Sequence, residues 1–128
     1  MAALPGDPLI VCVEDVESVR EAIKGLLVAL GFNAEVFSSA EEFLQSDLLG
    51  DTSCLITDVK LGGMSGLELQ NRLTASGYRI PVIVITAFSD DRTRAQALSA
   101  GAVCFLSKPI TKEELLTCIG LALERWED

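Results

Sequence analysis

The chain has 128 residues, 49% of them hydrophobic, and a formal net charge of -9 at neutral pH. This length suits one domain with a full core and excludes two ordinary domains, so we predict a single domain over residues 1–128, with its core at about 9–126. The acidic charge argues against direct binding of nucleic acid, and no apolar run approaches the roughly 20 residues of a membrane helix.

Short apolar runs alternate with amphipathic segments along the whole chain. Continuous β-branched runs predict parallel strands buried on both faces, and apolar residues at helical spacing predict the helices between them. In chain order the predicted elements are a strand at Leu9–Val13, a helix at Val16–Leu30, a strand at Asn33–Phe37, a helix from Ser39, a strand at Cys54–Thr57, a helix from Ser65, a strand at Pro81–Thr86, a helix from Ser89 or Asp90 to before Gly101, a strand at Ala102–Leu106 and a helix from Thr111.

Helix starts and buried stripes can also be predicted. Three helices begin with capping boxes, in which a serine or threonine precedes a glutamate by three residues: Ser39 with Glu42, Ser65 with Glu68, and Thr111 with Glu114. The buried stripe of the first helix is predicted at Val19, Ala22, Ile23, Leu26, Leu27 and Leu30. The stripe of the last helix is predicted at Leu115, Leu116, Ile119, Leu123 and Trp126.

Five strand–helix units in this length predict an α/β fold. We expect a five-stranded parallel sheet of order 2-1-3-4-5, doubly wound as a flavodoxin-like (βα)5 domain, because a closed barrel needs eight units. The four cysteines lie in apolar runs whose spacing fits neither a zinc site nor a short disulfide scaffold. They are therefore predicted to be buried free thiols in a reducing cytosol.

Polar residues follow four of the predicted strands. Glu14 and Asp15 end the first strand, Asp58 the third and Thr86 the fourth, and Lys108 comes two residues after the fifth. In an open parallel sheet these positions share one edge, where ligands bind at the reversal of strand order. Three crowded carboxylates favour a hard divalent cation such as Mg²⁺, and a lysine and a hydroxyl beside it are typical of phosphoryl transfer.

This chemistry makes Asp58 a candidate nucleophile that forms an acyl phosphate. The chain has no histidine, so any phosphohistidine in its chemistry must belong to a partner. Each residue alone has an ordinary explanation: Asp58 as a helix cap, Glu14 and Asp15 as favourable charges at a helix N-terminus, and Lys108 as a surface lysine. Only their coincidence at matching strand ends points to a site.

At these residues the chain resembles a response-regulator receiver domain, over about Leu9 to Trp126. The resemblance implies that Asp58 is the phosphoacceptor, with Thr86 and Lys108 as the other catalytic residues. It implies Mg²⁺, for which Mn²⁺ can substitute, held by Asp15, the Asp58 carboxylate and the Lys60 carbonyl, with Glu14 acting through a coordinated water. It also implies a switch pair of Thr86 and Phe105 and a cis bond before Pro109.

The implied partner is a sensor histidine kinase, in a cytoplasmic two-component system. The resemblance also implies that the domain is not a turnover enzyme but catalyses its own phosphorylation and dephosphorylation. The segments "SAEEFL" and "MSGLELQNRL" are most similar to FixJ-like receivers, which usually precede a helix-turn-helix output domain. We therefore expect control of transcription through an output domain absent from this chain, and a homodimer on phosphorylation.

The chain departs from the family in the loop after Asp58. Receivers often have a proline there, whereas this loop contains Gly62 and Gly63, which predicts greater mobility and a less preorganised Lys60 carbonyl. Restricting the loop with Gly62→Pro should then tighten Mg²⁺ binding. The residue after Pro109 is Ile110, where an aromatic is common in the family.

Three alternatives remain beside this interpretation. An aspartyl-phosphate hydrolase usually has a second acid two residues after its nucleophile, where this chain has Lys60. A flavodoxin-type FMN carrier needs a phosphate loop after the first strand, where "EDVESVR" would repel the phosphate. A degenerate receiver that only binds proteins is the main alternative, although all the expected site residues are present.

Overall fold

The structure is a computed structural model that describes residues 7–127, with side chains described as far as Arg125. Residues 1–6 and Asp128 of the predicted domain, and the predicted packing of Trp126, lie outside this description. The strands are β1 (Leu9–Val13), β2 (Asn33–Phe37), β3 (Thr52–Asp58), β4 (Val82–Thr86) and β5 (Cys104–Ser107). The helices are α1 (Glu17–Ala29), α2 (Ala40–Gln45), α3 (Gly66–Ala75), α4 (Asp91–Ser99) and α5 (Lys112–Glu127), with a 3₁₀ helix at Leu49–Asp51.

The five strands form one parallel sheet of order β2-β1-β3-β4-β5, as predicted. Successive residues of a strand face opposite sides, so each strand feeds two cores. Ile10 and Cys12 pack under α1 and α5, whereas Val11 and Val13 pack under α2, α3 and α4. The helices therefore cover both faces, which confirms the doubly wound α/β architecture.

β3 is longer than its apolar run because buried polar residues at its start find hydrogen-bond partners. The Thr52 hydroxyl donates to the Leu48 carbonyl at 2.8 Å, and the Ser53 hydroxyl accepts from the Leu9 N–H at 3.1 Å. Buried polar groups that are hydrogen-bonded cost little, so the strand extends beyond the predicted Cys54–Thr57. All seven residues of β3 are buried, as expected for the central strand of the sheet.

The predicted capping residues begin their helices. A hydroxyl accepts the backbone N–H of the glutamate three residues later at 3.1 Å in each case: Ser39 from Glu42, Ser65 from Glu68, and Thr111 from Glu114. α4 is capped by Asp90, which accepts from the Thr93 N–H at 2.7 Å. The predicted burial is wrong for two residues of the stripes, since Ala22 is exposed and Leu116 is 45% exposed.

The cysteine prediction holds for two of the four residues. Cys12 and Cys54 are buried free thiols, and burial raises the pKa of both, that of Cys54 to about 12. Cys104 and Cys118 instead form a disulfide, which corrects the prediction of four free thiols. The pair was missed because 14 residues separate them in sequence, whereas the packing of α5 against β5 brings their Cα atoms to 6.1 Å.

Within residues 7–127, no helix combines the length and apolar character needed to span a bilayer.

Candidate functional site

The carboxyl ends of β1, β3 and β4 meet at one edge of the sheet and bring the predicted polar residues together. Glu14 and Asp15 follow β1, while Asp58 and Thr86 are the last residues of β3 and β4. Because β1 and β4 flank β3, Asp58 lies at the centre of this edge, opposite Ile85 in the register.

An acidic cluster is the first feature of this edge. Glu14, Asp15 and Asp58 each contribute a carboxylate oxygen, and these oxygens lie within 4.8 Å of one another. Glu14 is fully buried and Asp58 is 5% exposed, whereas Asp15 faces solvent. Burial raises the pKa of Glu14, and the nearby Asp58 charge adds to that effect, because removing a carboxylate from water disfavours its charged form.

The Lys108 ammonium joins two of these carboxylates. Its Nζ donates to Asp58 Oδ2 at 2.5 Å and to Glu14 Oε2 at 2.9 Å. Desolvation lowers the pKa of Lys108, but the hydrogen bonds to Asp58 and Glu14 together outweigh it, so the net pKa is raised. Lys108 therefore holds a positive charge directly against Asp58, although the two residues are 50 positions apart in the sequence.

The Lys108–Pro109 peptide bond is cis. The next described helix, α5, begins at Lys112. The short Pro109–Thr111 segment therefore connects Lys108 to α5.

The acidic cluster fits a hard divalent cation. All its possible ligand atoms are carboxylate oxygens, and two of the three residues are buried. The third, Asp15, leaves one side of the cluster open to solvent. Mg²⁺ prefers oxygen ligands and retains several waters, so a half-open set of carboxylates suits it. The Lys60 N–H donates to Asp58 Oδ1 at 2.9 Å, so the loop after β3 begins in contact with the cluster.

Thr86 lies at the site, but its hydroxyl is engaged by the loop after β4. Thr86 Oγ1 accepts from the Phe88 N–H at 3.1 Å and donates to the Phe88 carbonyl at 3.3 Å. The Phe88 ring is 70% exposed and lies 5.0 Å from Lys60 Nζ, a cation–π contact. The loops that follow β3 and β4 thus touch at the rim of the site.

Phe105 lies on β5, opposite Val84 in the register, and is half-buried against the core under α2, α3 and α4. This position is one strand away from the end of β4, where Thr86 is found. Its role as a switch residue remains a prediction.

Two residues of this region were missed by sequence reasoning. Gly66 lies directly behind Asp58, where a methyl group would come within 2.0 Å of the Asp58 carbonyl oxygen. Glu41 of α2 accepts a hydrogen bond from the Met64 N–H at 3.0 Å, in the loop after β3. Gly66 could have been suspected from its place after a cap, but Glu41 gives no local signal for a contact 23 residues away.

Comparison with known proteins identifies this arrangement. Residues 10–120 match the family model described as the response regulator receiver domain. The chain belongs to this family. Among solved structures, this receiver domain superposes on FixJ-N with a TM-score of 0.83 and 35% identity, covering 92% of this chain and 94% of that one. Against the response regulator StyR the TM-score is 0.86 and the identity 39%, with 93% of this chain and 60% of StyR covered.

Two curated relatives show what the receiver domain resembles in sequence. Nodulation protein W of Bradyrhizobium diazoefficiens is 41% identical over 117 residues, which are 91% of this chain and 52% of that protein. The transcriptional regulatory protein TdiR of Thauera aromatica is 36% identical, with 87% of this chain and 49% of the relative covered. The chain thus spans about half the length of the curated relatives it matches.

Proposed function

We propose that this receiver domain accepts a phosphoryl group from a histidine kinase on Asp58, in a Mg²⁺-dependent reaction, and thereby controls an output activity. The observation that carries the proposal is the Lys108 ammonium held 2.5 Å from Asp58 Oδ2 inside a cluster of three acids. A carboxylate that must attack an anionic phosphoryl group needs such a positive charge beside it.

The chain's own residues divide the work. An Asp58 oxygen forms the new bond to phosphorus while the phosphorus–nitrogen bond of the donor's phosphohistidine breaks, and the released imidazole takes up a proton. Asp15, Asp58 and the Lys60 carbonyl would hold Mg²⁺, which when bound supplies positive charge to the phosphoryl oxygens. Lys108 would move its hydrogen bond from the Asp58 carboxylate to the same phosphoryl oxygens, and Glu14 would keep the ammonium at the site.

Thr86 supplies the link to a conformational change. In this structure its hydroxyl is hydrogen-bonded to the backbone of Phe88. A hydrogen bond from Thr86 to a new phosphoryl oxygen would therefore release the loop after β4. The half-buried Phe105 ring would then repack, which would change the face formed by α4, β5 and α5. A local charge event would in this way bias a two-state element.

The partner must reach Asp58 from the rim of the site. An apolar groove opens there between α1 and the segment after β5, lined by Val19, Ala22, Leu26, Pro109, Ile110 and Lys108 among others. Lys108 belongs both to this groove and to the acidic cluster. A kinase helix that carries the phosphohistidine fits this position, because its apolar side would fill the groove while the histidine faces Asp58.

The output is proposed from the relatives. TdiR and FixJ are transcriptional regulatory proteins that extend beyond the matched region, so we propose transcription as the process controlled, in the cytoplasm.

Phosphorylation is proposed to favour a homodimer. Light scattering with and without beryllofluoride tests this, and an unchanged molecular weight would contradict it.

Phosphoryl acceptance is tested with acetyl phosphate and Mg²⁺, followed by intact-protein mass spectrometry. We expect one labile phosphoryl adduct on wild type and on the control variant Asp47→Asn, which alters an exposed carboxylate outside the site. Asp58→Asn should form no adduct while remaining folded. A wild type that forms no adduct would instead favour the degenerate receiver that only binds proteins.

A further inference from the structure

The loop between β3 and α3, residues 59–65, is bracketed by three carboxylates. Near its start the Lys60 N–H donates to Asp58 Oδ1 at 2.9 Å, and near its end the Met64 N–H donates to Glu41 Oε2 at 3.0 Å. Between them, a methyl group on Gly62 would lie 3.9 Å from Asp15 Oδ2. Asp58 and Asp15 belong to the acidic cluster, but Glu41 comes from α2, on another element.

The approach of Glu41 depends on a glycine. A methyl group on Gly63 would come within 2.6 Å of Glu41 Oε2, far inside an ordinary contact, so the Glu41 carboxylate would have to move from its present position. At Gly62, one position earlier, a methyl group would make only an ordinary contact. The two glycines therefore differ: a side chain at Gly63 would displace the Glu41 carboxylate, whereas one at Gly62 would not.

Helix capping does not account for Glu41. The N-terminus of α2 is capped by Ser39, whose hydroxyl accepts from the Glu42 N–H at 3.1 Å. The Met64 N–H is the main reason that the pKa of Glu41 lies below its ordinary value, ahead of the hydrogen bond from its own N–H. The carboxylate is thus directed to the loop, 23 residues away, although it lies in the first turn of a helix.

We propose that Glu41 is a positioning residue that holds the loop after Asp58 in the conformation needed for metal binding. The inference rests on the proposed function, in which the Lys60 carbonyl in this loop is a ligand of Mg²⁺. A loop with adjacent glycines has many conformations to lose when it binds a metal. Glu41 removes part of this cost before the metal arrives, by restraining the end of the loop opposite to Asp58.

The first measurement is the Mg²⁺ affinity of four variants by calorimetric titration. Glu41→Ala and Gly63→Ala should each weaken binding about two- to tenfold, the equilibrium equivalent of one net hydrogen bond. Gly62→Ala, the matched control, should bind at least as tightly as wild type. The double variant Glu41→Ala with Gly63→Ala should bind no more weakly than either single variant, because both changes break the same contact.

The second measurement needs no metal and no activity. Amide hydrogen exchange of Met64 in Mg²⁺-free protein should be slow in wild type and Gly62→Ala, and faster in Glu41→Ala and Gly63→Ala. Glu41→Gln keeps an oxygen acceptor and should restore much of the protection. Glu41, Gly62 and Gly63 are all exposed, so thermal midpoints should stay close to wild type in every variant.

The outcomes separate this inference from the proposed function. Equal Mg²⁺ affinity in wild type and Glu41→Ala, or Met64 exchange that ignores Glu41, would overturn the positioning role while phosphorylation of Asp58 still stood. A wild type that binds no Mg²⁺ and forms no adduct would overturn both. Weaker Mg²⁺ binding together with faster Met64 exchange, in Glu41→Ala and Gly63→Ala but not in Gly62→Ala, supports the inference.

Discussion

Replacing Gly66 with alanine should destabilise the domain next to Asp58, the proposed phosphoacceptor. Gly66 begins α3, and the new methyl group would lie 2.0 Å from the Asp58 carbonyl oxygen and 3.0 Å from Thr57 Oγ1. The C···O separation must grow by about 1.3 Å to reach an ordinary value of about 3.3 Å. The obstacle is backbone in the buried strand β3, so rotation of a side chain cannot relieve it.

The magnitude follows from the kind of obstacle. Overpacking of a core costs about 1–3 kcal/mol, and a backbone clash belongs at the upper end, about 3 kcal/mol. The better helix propensity of alanine returns about 1 kcal/mol or less, which leaves a net loss of about 2 kcal/mol. For a domain of this size each kcal/mol shifts the thermal midpoint by roughly 4 °C, so Gly66→Ala should lower it by roughly 8 °C.

Urea unfolding and calorimetry measure this loss, with Gly120→Ala as the matched control. Gly120 is an exposed residue within α5, and a methyl group there would meet no atom within 4 Å. Gly120→Ala should therefore stabilise the domain by about 0.5–1 kcal/mol. If Gly66→Ala were as stable as wild type, or were stabilised like the control, the close approach of α3 to Asp58 would be refuted.

Two further predictions concern Lys108 and the disulfide. Because the pKa of Lys108 is raised above its ordinary 10.5, its stabilising ion pairs are present below about pH 10.5 and lost as pH rises through the folded-state pKa. The difference in unfolding free energy between wild type and Lys108→Met, measured without Mg²⁺, should shrink above that pH; a constant difference would contradict the ion pairs. Reduction of Cys104–Cys118, which closes a loop of 14 residues, should cost about 3 kcal/mol and lower the thermal midpoint by roughly 12 °C. Thiol counting on denatured, unreduced protein should find two free thiols, and four would refute the bond.

Local patterns were sufficient for much of the fold. The strands β1 and β2 have the predicted bounds, and Ser39, Ser65 and Thr111 cap their helices as expected. Such features depend on neighbours a few residues away, whose spacing is visible in the sequence. The extension of β3 was not visible, because the buried Ser53 hydroxyl finds its partner in the Leu9 N–H, which lies far away in the sequence.

The candidate site was predictable as a set of residues but not as a geometry. The rule that parallel strands end at one edge was enough to group Glu14, Asp15, Asp58 and Thr86. It did not reveal that Glu14 is fully buried while Asp15 is exposed, or that the Thr86 hydroxyl is engaged by the next loop. These features depend on side-chain packing at the scale of one ångström.

By itself the sequence determined the order and type of the elements, the sheet topology and the membership of the polar cluster, because periodicity, capping and strand ends are local. Only the tertiary structure decided that Lys108 contacts Asp58, that Cys104 pairs with Cys118, and that Glu41 accepts a hydrogen bond from the Met64 N–H. Each of these contacts joins residues that are 14 or more positions apart. Their formation depends on how helices settle on the sheet, which no short stretch of sequence specifies.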